Sequence, residues 1–63
     1  MFKLSSKAKT LIEGYYIECP DNYSFEKSCD YVVNKLIDKH DFVDAPILYR
    51  AVYNFMCLIH DLV

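Results

Sequence analysis

A chain of 63 residues that is 54% hydrophobic and 16% aromatic is too apolar for a disordered segment and has room for one small domain. Its net charge of -2, with a single Arg, supplies neither the concentrated positive face that nucleic acid or an anionic membrane needs nor the dense acidity of a nucleic-acid mimic. The longest uninterrupted apolar run, Phe55 to Ile59, is far short of the roughly 20 residues of a membrane span, so no membrane segment is expected.

The N-terminal stretch MFKLSSKAKT carries charge but no apolar run of secretory length, and the three cysteines, Cys19, Cys29 and Cys57, are an odd number. Both point to a reducing, intracellular setting without a disulfide framework. The lean toward Lys over Arg, with many Tyr, Ile and Asp, indicates an A/T-rich coding genome of the kind found in phages, some viruses and many bacteria.

Along the chain the hydrophobic period predicts an all-α fold, a compact three-helix bundle with helices over about 5–14, 25–40 and 45–62. In the first, Leu4, Ala8, Leu11, Ile12 and Tyr15 share a face, Ser5 or Ser6 serves as N-cap, and Gly14 ends the helix or sits in its last turn. The segment YIECPDNYS is the main connection, with Pro20 barring continuous helix and Asp21-Asn22 favouring a turn; Tyr15 to Cys19 has the character of a short strand.

Ser24 caps the second helix, whose apolar positions are Phe25, Cys29, Val32, Val33, Leu36, Ile37 and His40. DFVD forms the next turn, Asp44 caps the third helix, and Pro46 falls in its first turn, where a missing N–H costs little.

The third helix, PILYRAVYNFMCLIHDLV, is apolar on two sides. Leu48, Ala51, Val52, Phe55, Ile59 and Leu62 make one stripe; Tyr49, Tyr53, Met56 and Val63 make a second beside it. A surface helix ordinarily shows one apolar and one wet face. The expected core is Leu11, Ile12, Val32, Val33, Leu36, Val52, Phe55, Ile59 and Leu62, with the second stripe left for another molecule.

Catalytic chemistry finds little support. Cys29 and His40 share a face of the second helix but stand about 16 Å apart at 1.5 Å per residue. Cys57 and His60 are neighbours at a spacing common by chance, and no Gly-rich loop offers to cradle a phosphate. No cofactor and no metal are expected: only Cys57 and His60 are close among five candidate zinc ligands.

The stretch YVVNKLIDKHDFVDAPILYRAVYNF reads as helix, turn and helix, and its string LYRAV resembles recognition helices of winged-helix repressors. That resemblance implies a helix-turn-helix-like DNA-binding regulator, with Ile47, Tyr49, Arg50, Tyr53 and Asn54 facing the duplex. The turn is acidic and lacks the usual Gly, and the basic footprint of a DNA-binding face is missing, so nucleic acid is the second choice.

Tyr, Met and Arg are enriched at the centres of protein interfaces. The leading expectation is therefore a small non-enzymatic regulator or inhibitor that binds a larger protein, its identity unknown. Phage or viral origin would suit its length and composition. Its binding residues are Tyr49, Arg50, Tyr53 and Met56 on the third helix, joined by Tyr16 and Tyr23. A symmetric homodimer through the same stripe is the variant of that reading.

Overall fold

The structure is a computed structural model and describes residues 4–62. It holds three helices: α1 (Ser6–Glu18), α2 (Phe25–His40) and α3 (Pro46–Leu62). Among the described residues there is no strand.

Helix α1 starts where the Ser5 hydroxyl accepts a hydrogen bond from the Ala8 N–H at 3.1 Å. It runs four residues beyond its expected end and absorbs the segment expected as connection or strand. Gly14 sits in mid-helix with open space around its Cα. The ~1 kcal/mol that Gly costs a helix is offset because Tyr15 and Tyr16, which follow it directly, pack against the core. The chain leaves the helix at Cys19, whose backbone is extended (φ -61°, ψ 138°) because the residue before a proline is barred from helical geometry.

A turn over Pro20 to Tyr23, closed by Tyr23 N–H donating to the Pro20 carbonyl at 3.1 Å, leads to α2. The Ser24 hydroxyl accepts from the Lys27 N–H at 3.2 Å, as its N-cap position predicts. Glu26 in the first turn and Lys39 and His40 in the last both suit the helix dipole. The helix stops at Asp41, the one non-glycine residue with positive φ (58°) among those described. Asp41 and Phe42 both donate N–H bonds to the Leu36 carbonyl, a left-handed stop that Asp tolerates better than most residues.

Pro46 is the first helical residue of α3, the position its missing N–H allows. The capping position therefore falls to Ala45, whose carbonyl accepts from Leu48 and Tyr49, and Asp44 stands one residue too early for the role expected of it.

Phe25 at the start of α2 packs on His60 in the last turn of α3, so these helices are antiparallel. The end of α2 (His40, Asp41, Phe42) lies against Ser5, Ala8 and Leu11 in the first half of α1, so that pair is antiparallel too. The result is an up-down-up bundle around one apolar cluster of Ile12, Cys29, Val32, Val33, Leu36, Leu48, Val52 and Met56.

On α3 the deepest line is Leu48, Val52, Met56, at four-residue intervals, which runs between the two stripes read from the sequence. Helices α1 and α2 each cover one flank, and the seam between the flanks becomes the centre. Leu11, Phe55 and Ile59, expected in the core, are only partly buried at its edge, while Leu48, Cys29 and Ala8 take their place inside. Met56, expected on the binding face, is 0% exposed. The side chain of Leu62 and the residue Val63 lie outside what is described.

Candidate functional site: an aromatic band and its groove

Removing Met56 from the surface leaves Tyr49 and Tyr53 half-buried on the α2 side of α3. Their rings stack with centroids 6.2 Å apart. Tyr53 meets Phe25 edge-on at 5.2 Å, and Phe25 meets His60 at 5.7 Å. His60 Nδ1 and the Tyr16 hydroxyl then share a hydrogen bond of 3.1 Å. Tyr49, Tyr53, Phe25, His60 and Tyr16 thus form one continuous band that crosses all three helices. Such edge and offset-stacked ring pairs add ~0.5–1.5 kcal/mol each beyond their area, and tyrosine leaves its hydroxyl available to a partner.

Three of the six residues expected to bind a partner, Tyr16, Tyr49 and Tyr53, are brought together in this band. Phe25 and His60 connect them. His60 was legible as a member: it lies seven residues beyond Tyr53 and so on the same side of α3. Phe25 was not, because its place depends on the start of α2 returning to the end of α3.

Arg50 is exposed, about 60° around α3 from Tyr53 and outside the band. Tyr23 makes no ring contact with the band: its ring meets Tyr31 edge-on at 6.2 Å, with the Lys27 ammonium 4.6 Å above it, although it lines a cavity of about 230 Å³ with Tyr16 and Ile17. Met56 has no part in any surface.

At its Tyr16 end the band opens into a groove of about 280 Å³ lined by Glu13, Tyr16, Ile17 and Ile59. Ile17 on its rim is 81% exposed. At the opposite end, Tyr49 lies near the carboxylates of Asp30 and Glu26. Burial first, and then Asp30, pushes its phenol above the ordinary tyrosine range. Comparison with protein-family models, with curated proteins and with solved structures returns no match to this chain.

His40 is held by the Tyr15 hydroxyl at 2.9 Å. All three cysteines are free thiols. Cys29 is fully buried, and burial, followed by the nearby Cys57, pushes its pKa from 9.0 to about 11, which makes it a poor nucleophile. Cys19 donates to the Tyr15 carbonyl at 3.4 Å and is also pushed up by burial, partly countered by a hydrogen bond from Ser28. Among the described residues no three His, Cys, Asp or Glu side chains group to hold a metal ion, and no helix is long and apolar enough to cross a membrane.

Three of the described lysines are spread over different helices. Lys9 lies over the Phe55 ring on α3, whereas Lys27 and Lys35 lie over Tyr23 and Tyr31 beside α2.

Proposed function

We propose that this chain is a small non-enzymatic interaction protein, a regulator or inhibitor that docks on a larger protein inside the cell. The docking surface is the band from Tyr49 to Tyr16 together with the Glu13–Tyr16–Ile17–Ile59 groove. The continuity of the band carries the reading. Rings stacked and set edge-on across α2 and α3, with Tyr16 of α1 joined by its hydrogen bond to His60, are pre-organised, so a partner covers large apolar area with little side-chain ordering cost. Ile17 supplies a protruding aliphatic anchor beside that surface. A domain of this size buries only about 60% of the surface its unfolded chain exposes, so a partner would also stabilise it. Length and an A/T-leaning composition suit a phage- or virus-encoded regulator.

The test uses variants chosen to spare the core. Tagged wild-type chain, Ile17→Lys and Tyr49→Ser are compared for saturable capture of the same protein from host extract, with circular dichroism and melting checked for each. Capture by the wild type that both variants lose while keeping their helicity supports the reading. Equal capture by all three contradicts it.

A further inference from the structure

The side of α3 turned away from the bundle carries a pattern the band does not use. At 3.6 residues per turn, Ile47, Arg50, Ala51, Asn54, Leu58 and Asp61 fall within about 100° of the helix, opposite Met56. Ile47 is 52% and Leu58 62% exposed, and Arg50, Asn54 and Asp61 are exposed with them. Only two charges occupy this strip: Arg50 near its start and Asp61 near its end, eleven residues and about 16 Å apart on nearly the same line. Asp61 is out of place by local rules. A carboxylate in the last turn of a helix opposes the helix dipole, which favours a cation there.

We propose that this strip is a self-association surface on which α3 of a second copy packs antiparallel. A two-fold axis near the level of Phe55 brings Arg50 of each copy to Asp61 of the other, so both charges are answered at once. In that register Leu58 of each copy falls over Ala51 and Asn54 of the other, where the small Ala51 leaves a hollow for it. The competing register, Ile47 upon Leu58, sets Arg50 of each copy about 9 Å along the axis from Asp61 of the other and leaves both charges unanswered. Charge therefore selects both the occupant and the register. The strip is about 21 Å long and one helix wide, well under the ~800 Å² per partner of a standard interface, so the dimer is weak, with a dissociation constant on the order of 0.1 mM. It leaves the aromatic band uncovered.

Sedimentation equilibrium of the full chain from about 10 µM to 1 mM tests this, at low and at high salt. The expected result is a monomer–dimer equilibrium that weakens with salt. Arg50→Glu and Asp61→Arg each weaken it about tenfold, the double variant Arg50→Glu/Asp61→Arg returns it to within about threefold of wild type, and Ile17→Lys leaves it unchanged. A chain that stays monomeric at 1 mM overturns the proposal, as does a dimer indifferent to the single reversals or one that the double variant does not restore. The melting temperature of each variant separates loss of association from loss of fold. Because Ile17→Lys and the Arg50 and Asp61 reversals act on different surfaces, failure here and failure of the docking role are read separately.

Discussion

Tyr15 holds the last turn of α2 by a 2.9 Å hydrogen bond to His40 Nε2, and the next residue, Tyr16, holds the last turn of α3 by a 3.1 Å bond to His60 Nδ1. Two consecutive tyrosines of α1 thus fasten it to both of its neighbours. This explains why α1 runs through Gly14: the turn that carries Tyr15 and Tyr16 must be helical to aim one ring at each partner. Tyr15→Phe keeps the ring and removes the bond. The expected cost is about 1 kcal/mol in urea unfolding, close to the typical net value of a part-buried hydrogen bond, and Tyr16→Phe, whose bond is exposed, should cost less. Equal, negligible effects would mean the hydroxyls do not fasten the helices.

Gly14→Ala follows from the same reading. The added methyl meets no atom within 4 Å, and the backbone there is already helical. Stability should rise by about 0.5–1 kcal/mol, a gain of roughly 2–8 °C in Tm for a domain this small. A lowered Tm would show that the helix is broken at this point.

Met56 and Ile17 make a matched pair, because sequence reasoning favoured the first as a contact residue and the structure exposes the second. Met56→Ala should cost about 2–5 kcal/mol by opening a cavity in the central seam, a large share of the stability of a small domain. Ile17→Ser should stay within about 0.5 kcal/mol of wild type. Thermal melts of the two side by side decide the point, and a folded, stable Met56→Ala protein would place that side chain outside the core.

Much of the fold was legible in the residues. Helix α2 has its expected bounds because Ser24 is a capping residue in the right place and Cys29, Val32, Val33 and Leu36 keep one helical face. The end of α1 was misplaced because Gly14 is a stop signal only when nothing beyond it packs, and what packs, His40 and His60, lies 25 and 44 residues away from its tyrosine. The wheel of α3 gave the angles of its side chains correctly but not which angle would be deepest. That depends on where α1 and α2 press, so the centre fell where the two stripes meet, on Leu48 and Val52 of the first and Met56 of the second. The band was half visible: Tyr49, Tyr53 and His60 share a side of α3 by spacing alone, whereas Phe25 and Tyr16 reach them only through tertiary structure.

Cys29 gives the protein an alkaline limit. In the fold its thiol keeps its proton to about pH 11, whereas in the unfolded chain it releases it near its ordinary value of 9.0. Between those values the native state binds more protons than the unfolded state, so its contribution is complete below about pH 9 and is lost as pH rises toward 11. Burial raises the Tyr49 phenol as well, with the same sign, so the comparison needs Cys29→Ala. The urea midpoint of the wild type should fall more steeply from pH 8.5 to 10.5 than that of the variant. In the native protein at pH 8, iodoacetamide should label Cys19 and Cys57 well before Cys29. Parallel pH profiles, or early labelling of Cys29, would place its sulfur within reach of water.

The docking claim is most directly tested by the footprint of a captured partner, read by NMR chemical shifts of the bound chain. Side-chain signals of Tyr16, Ile17, Ile59, Tyr49 and Tyr53 should shift together. Val43, which is 78% exposed but lies in the α2–α3 connection outside the band and the groove, should not. A footprint centred on Val43, or one on the outer side of α2 around Lys27 and Asn34 that leaves Ile17 and Tyr53 untouched, would contradict the account.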